Sequence, residues 1–491
     1  MWRGNCEAGP VHRLVEHASR YLRWPAICVA LCFTSTCGDE IGRQPAGWDD
    51  ELRMPLAADL DPDPHVLEVE LVAQEADLQL RPGPPTHLFT YSGSLPGPML
   101  RLRQGDRLLV HFRNELSEPT SIHWHGVRLD NPMDGAPPHT QTPVMPGETF
   151  DYDFVVPDAG TFWYHPHVRS AAQVGFGMYG ALIVDPPTGP ESAELLGDEL
   201  VVVLSDISLD DDNRLVEPDS GGELATLFGR EGEPVLANGK QRAWLLATRG
   251  LRQRWRMINA SRSRYFQLDL GGQPFTQIGG DAGLLSKPVE TAAPVIVPGG
   301  RADLVVEPAG TAHDSLPMQW VPFDRGFGST EFRVPVTLFS VSLSETEASE
   351  PLPLSPVAVP VELLSAEGAT PVDLELTQRT ALDGSLELGI NGVPFDESAP
   401  IPASVGETQL WTVTNRMAFS HPFHLHGFFF QPLDEDGVSV GEWRDTVDVP
   451  RDDGKLRFLV RYDNRPGMWM FHCHILDHAD AGMMGMVDLR Q

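Results

Sequence analysis

Residues 467–474 read Gly-Met-Trp-Met-Phe-His-Cys-His, and residues 160–167 read Gly-Thr-Phe-Trp-Tyr-His-Pro-His. Each octet ends in His-x-His, and each is followed by Gly-Met-x-Gly, at Gly177 to Gly180 and at Gly482 to Gly485. The correspondence extends backwards. Gly105-Asp106 is followed nine residues after Gly105 by Asn114, and nine further on by His123-Trp124-His125-Gly126. Gly406-Glu407 leads at the same two spacings to Asn415 and His424-Leu425-His426-Gly427. A middle copy runs from Arg254 to Asn259 and nine residues later reaches Leu268-Asp269-Leu270-Gly271, with leucine in both histidine positions. The three asparagines are 145 and 156 residues apart. The chain is therefore one unit written three times, as a length of 491 residues at ~150 per domain accommodates.

Segments such as Arg107–Phe112 and Gln409–Thr414 alternate or run apolar between Gly, Pro and Asn signals, which predicts strands. Helical periodicity is scarce, and 46 Gly with 44 Pro suit a loop-rich β protein. The expectation is an all-β chain of three consecutive Greek-key β-sandwich domains at 65–190, 195–343 and 362–491, with an acidic, Pro-rich linker over 38–64. A hydrophobic share of 41% with 21% charged residues excludes a disordered or fibrous protein. Acidic residues outnumber basic ones 69 to 36, for a net charge of −33, which argues against a nucleic-acid partner.

The chain opens with Arg3, Arg13, Arg20 and Arg23, followed by 13 mostly apolar residues from Trp24 to Thr36. That stretch is too short to span a bilayer and reads as a signal peptide over residues 1–37. Small residues before Cys37 resemble a lipoprotein cleavage site with a lipid anchor at Cys37; the alternative is an ordinary signal. Either way the protein is exported: periplasmic, attached to the cell envelope, or secreted. Loss of the leader, which carries four Arg and two Glu, leaves a net charge of −35. No other stretch suggests a transmembrane helix. Cys6, Cys28, Cys32 and Cys37 all lie in the leader, so Cys473 stands alone in the body, as a buried filler, a nucleophile or a metal ligand.

Ten of 17 histidines fall in four short motifs. Residues two apart on a strand share a face, so His123/His125, His165/His167, His424/His426 and His472/His474 each present paired imidazoles. Eight of them in a duplicated frame predict a metal cluster where the first and third domains meet. Cys473 points to the opposite face from its neighbours, where His421, His478 and Met483 are available. Two His, one Cys and a weak thioether match a blue-copper site. The first copy has Thr120, Pro166 and Ala171 in place of His421, Cys473 and His478, so this second site exists once. The middle domain, with no ligands, is expected to act as a spacer.

With these motifs the chain resembles a three-domain multicopper oxidase of the bacterial laccase type, with cupredoxin-like domains. Similarity runs from about residue 60 to 491 and includes Met133-Asp134-Gly135, Thr140-Gln141, Pro146-Gly147 and Arg444-Asp445-Thr446-Val447. The resemblance implies four copper ions. His421, Cys473 and His478 would bind type 1 copper, with Met483 axial. His123 and His424 would bind type 2. The two type 3 ions would take His125, His165 and His474 on one, and His167, His426 and His472 on the other. It also implies four one-electron oxidations of a small reducing substrate, phenolic or aromatic-amine, coupled to reduction of dioxygen to water. The alternative donor is Cu(I) or Fe(II), and the acidic body favours cations. Relatives that have lost their ligands serve as structural proteins, but every ligand position is intact here. A monomer is expected.

Asp134 matches the family's acidic residue beside the type 2 site, a proton-handling role, and Cys473 carries electrons to the cluster. A glutamate that relays protons in relatives is Ala479 here, and Asp477 and Asp480 read as solvated loop acids. Residues 319–416 contain no methionine, which disfavours a Met-rich cuprous segment; Met484 and Met486, beside Met483, read as core packing.

Overall fold

The computed structural model describes residues 52–187, 198–326, 330, 333–348, 361–381 and 384–491. The leader with Cys37, the linker up to residue 51 and the boundary at 195 lie outside the described residues. The described chain builds six sheets. They fall into three pairs, one per repeat.

In the first unit Val66–Leu78 runs parallel to Arg107–Asn114, with Thr86–Tyr91 and Thr149–Val155 completing the sheet. The second sheet joins Gly97–Arg103, parallel to Gly180–Asp185, with Gly160–His165 and His123–His125. The third unit repeats this plan. Thr370–Thr380 lies parallel to Thr408–Asn415, Ile401–Ser404 parallel to Met484–Arg490, and Gly467–Cys473 antiparallel to His421–Leu425. The middle unit does likewise, with Asp198–Asp206 parallel to Gln253–Asn259, Ala243–Arg249 parallel to Val336–Glu347, and Phe266–Leu270 antiparallel to Ser315–Val321. Two parallel pairings at the same places in otherwise antiparallel sheets show that the three copies share one Greek-key topology.

Alternation sets the faces. Leu67, Val69, Leu71 and Ala73 are buried while Glu70 between them is exposed, and Leu108, Val110 and Phe112 alternate with exposed Arg107 and Arg113. Leu268 and Leu270, at the histidine positions of the middle copy, are buried opposite Trp320 and Met318. That surface is ordinary apolar core.

The repeated asparagine has a structural cause. Asn114, Asn259 and Asn415 are fully buried. The side-chain amide donates to two carbonyls in each copy: Glu118 and Val144, Arg264 and Ile296, Phe419 and Val449. Its oxygen accepts the backbone N–H two residues on, at Leu116, Ser261 and Met417. Each asparagine thus staples the loop that leads into the strand at the ligand positions.

Candidate metal centre

His123 lies opposite His165 in one strand pair, and His424 lies opposite His472 in the other. The two pairs meet face to face. The His125 ring stacks on His424 and the His123 ring on His426, both with centroids 3.8 Å apart. His167 closes one side at 4.9 Å from His426 and 5.3 Å from His472; His474 closes the other at 5.0 Å from His125 and 5.6 Å from His165. All eight predicted histidines are brought together, and all are buried.

Their outer nitrogens are fixed by the backbone. His123, His165, His424 and His472 each donate Nδ1–H to a carbonyl, of Asp134, Pro166, Asp445 and Cys473, at 2.8 to 3.1 Å. The inner nitrogens have nothing to bond. Nε2 of His123, His165, His167 and His424, Nδ1 of His125 and both nitrogens of His474 are buried without a partner, and Nε2 of His426 faces Nε2 of His472 at 3.2 Å. Burial holds His125, His165, His426, His472 and His474 well below the usual imidazole range and brings His167 down to about 3, so the rings are neutral. An unpaired buried lone pair costs about 1–3 kcal/mol. Metal ions remove that cost, and imidazole donors suit copper. The donor set fits the ions that the sequence implied. His123/His424/His426 and His167/His426/His472 each bring their ligand atoms within 4.8 Å of one another.

Two carboxylates brace the cluster. Asp134 accepts from His426 Nδ1 at 2.9 Å and lies 3.4 Å from His123 Nδ1. Burial pushes its pKa up, but the neighbouring histidines outweigh that and hold it well below the usual carboxylate range. Asp445 was not foreseen as a site residue, although its tetrapeptide stood out. Its carboxylate lies 3.4 Å from His125 Nε2 and 3.6 Å from His424 Nδ1. It is clamped by Arg301 of the middle unit, at 2.7 and 2.5 Å. Burial raises its pKa too, and Arg301 overrides it strongly. Arg301 is fully buried and also donates to the carbonyls of Thr161, Gly299 and Asp281. The middle unit touches the cluster a second time at Gly299, where a Cβ would fall 2.7–2.9 Å from three atoms of the His474 ring. It is therefore part of the wall of the cluster.

The second site lies across the strand. Cys473 Sγ sits 3.4 Å from His421 Nδ1 and 3.5 Å from His478 Nδ1, and the two nitrogens are 3.1 Å apart. Met483 is buried in the same apolar cluster and ties back through its backbone to Cys473 and His478. Burial pushes the Cys473 thiol up and His478 down to about 3, so a metal cation is what would favour the thiolate here. Phe419 packs on both imidazoles, with ring centroids 4.9 and 5.8 Å away.

Neither imidazole of this site reaches solvent. His478 Nε2–H donates to the Leu227 carbonyl at 3.0 Å, in a short helix Gly222–Phe228 that the middle unit lays across it. Phe228 rests on Phe419 at 5.5 Å, and Arg325 donates to the Phe228 carbonyl. The expectation of solvated acids nearby is corrected for Asp477 but not for Asp480, which is exposed. Asp477 is buried and bonded to Arg230 and Arg262, both at 2.5 Å, which anchors the strap. Asp480 accepts the backbone N–H groups of Ser170 and Ala171, at the start of the helix Ser170–Gly175.

An all-β frame holding a His₂Cys site one residue away from an imidazole cluster defines a copper-binding redox protein. The chain belongs to the multicopper oxidase family. Two multicopper oxidase family models match residues 73–189 and 366–491. The multicopper oxidase MmcO of Mycobacterium tuberculosis is 31% identical, over 85% of this chain and 86% of that protein. Among solved structures, a multicopper oxidase from Campylobacter jejuni described as a metallo-oxidase shares 26% identity with a TM-score of 0.76, over 92% of this chain and 99% of that one. A laccase from Pediococcus acidilactici shares 28% with a TM-score of 0.78, over 91% and 95%. The chain is a copper oxidoreductase that uses dioxygen, and among its described residues no helix is long and apolar enough to cross a membrane.

Proposed function

We propose that this exported oxidase carries four copper ions and draws electrons from a metal ion, Cu(I) or Fe(II), in preference to a phenol. His421, Cys473, His478 and Met483 would hold type 1 copper, and His123 with His424 type 2. His125, His165 and His474 would hold one type 3 ion, and His167, His426 and His472 the other. Copper bound there supplies one-electron transfer and the reduction of dioxygen to water. The chain's own contribution is to exclude water, to keep the imidazoles neutral, and to link Cys473 directly to His472 and His474 through the backbone. Asp134, ionised against His426 and His123, is placed to accept or hold a proton beside the cluster.

The observation that carries the choice of donor is the Leu227 carbonyl on His478 Nε2. An aromatic ring donates best in van der Waals contact with a ligand edge, and here a backbone strap occupies that edge. Its outer approach carries exposed Glu217, Asp219 and Glu223, which attract cations. Residue patterns alone put phenols first; the strap supports the metal ion instead. The leader supports export, with residence in the periplasm, at the envelope through Cys37, or outside the cell. Oxygen uptake by copper-loaded protein with Cu(I), compared with a dimethoxyphenol, tests the reading. A larger kcat/KM for Cu(I) is expected, and a larger value for the phenol refutes it.

A further inference from the structure

Gly467–Cys473 and Met484–Arg490 are antiparallel neighbours, with His472 opposite Met484, Met470 opposite Met486 and Met468 opposite Asp488. Residues directly opposite share a face, as do residues two apart along one strand. These six side chains therefore form two columns on the face that presents His472 to the cluster, while Trp469, Phe471 and Cys473 take the other face. Four of the chain's 14 methionines lie in this array. They pack as one group against Ala136 and Phe395. Branched hydrocarbons fill such a space with better-defined rotamers than methionine does. What four adjacent thioethers add is softness, the ligand property that selects Cu(I).

The array is reachable. Met470 and Met484 line a cavity of about 870 Å³, and His167 of the cluster lies in the same wall. Exposed Glu217, Asp219 and Asp480 border it. Of the arginines in that wall, Arg230 and Arg262 are bonded to Asp477 and Arg169 to Glu118. The cavity thus has acids at its rim, thioethers in its wall and an imidazole of the cluster at its inner end.

We propose that Met468, Met470, Met484 and Met486 form a thioether site for Cu(I) that delivers the ion to the imidazole cluster. Delivery involves ligand exchange alone, from thioether to imidazole, with no change of oxidation state. The site lies on the cluster's side of the sheet, away from Cys473, so it concerns metal loading and stands apart from which substrate donates electrons.

The probe is Ag(I), a redox-silent stand-in for Cu(I), added to the copper-loaded enzyme. One additional equivalent is expected by native mass spectrometry, with sulfur neighbours by X-ray absorption at the silver edge. That equivalent is expected to disappear in Met484→Leu/Met486→Leu, which conserves side-chain volume. Anaerobic reconstitution of copper-free protein with Cu(I) should slow at least tenfold in the same variant, while reconstitution with Cu(II) is unchanged. A silver shell of nitrogen and oxygen alone, retention of the silver in the variant, or equal slowing with both copper states overturns the proposal. If the variant does not fold, the silver-edge measurement on the unmutated enzyme still decides.

Discussion

Arg301→Met tests whether the middle unit maintains the cluster. The substitution keeps an unbranched apolar stem but deletes a guanidinium that makes five hydrogen bonds, two of them to Asp445. It leaves Asp445 buried at 1% exposure without its cation. Breaking a buried pair from one side costs about 3–5 kcal/mol, because the remaining charge has lost its counter-ion and cannot regain water. Asp445 then takes up a proton, since Arg301 is the strongest influence holding its pKa down. A protonated Asp445 no longer orients His125 and His424 as an anion, and loss of such outer contacts typically weakens metal binding about 10–100-fold. Two readouts follow: denaturant unfolding of the copper-free protein, and copper retention against a chelator with the type 2 electron paramagnetic resonance signal recorded. Arg301→Met/Asp445→Asn should recover more than half of the stability loss, because replacing both partners removes the unpaired charge. A single-variant cost below about 1 kcal/mol with unchanged copper retention would refute the reasoning.

Gly299→Ala adds a methyl within 2.7–2.9 Å of the His474 ring at a residue whose φ is +81°. It should lower copper occupancy of the cluster while the Cys473-dependent visible band is preserved; equal loss of both signals would contradict a local effect. Asn415→Ala strands two carbonyls and one N–H in the interior. It should destabilise the protein by roughly 3 kcal/mol, and Asn259→Ala, in the copy without histidines, should cost about the same. Asp448, which accepts a 2.7 Å bond from Tyr265, is raised to about 6 by burial. A folded pKa above the unfolded one means that the native state binds more protons between pH 4 and 6, so stability falls as pH rises through that window. Asp448→Asn should flatten this slope in pH-dependent thermal unfolding; an unchanged slope would place the titration elsewhere. Deleting residues 222–228 with a two-glycine bridge should raise kcat/KM for a dimethoxyphenol at least tenfold, and no gain would mean that the strap does not limit access.

Residue order alone determined the three-fold repeat, the sandwich class and the imidazole pairs, because each rests on local rules. A period of nine from glycine to asparagine to histidine, and the two-residue alternation of strands, are properties of neighbours along the chain. The placement of Cys473 opposite in sense to His472 and His474 follows from the same alternation, and two imidazole nitrogens lie beside its sulfur on that face. Asp445, Arg301, Gly299 and Leu227 were legible only in three dimensions. Arg301 opens a strand after an unremarkable Gly-Gly pair, 144 residues from Asp445, and Leu227 is 251 residues from His478. Contacts across such separations obey no period, and a carbonyl cap can come from any residue type. The solvent status of Asp477 was misjudged for the same reason: its cations, Arg230 and Arg262, belong to another unit. Short-range periodicity fixes which atoms a strand presents, whereas docking of the three units decides what stands in front of them.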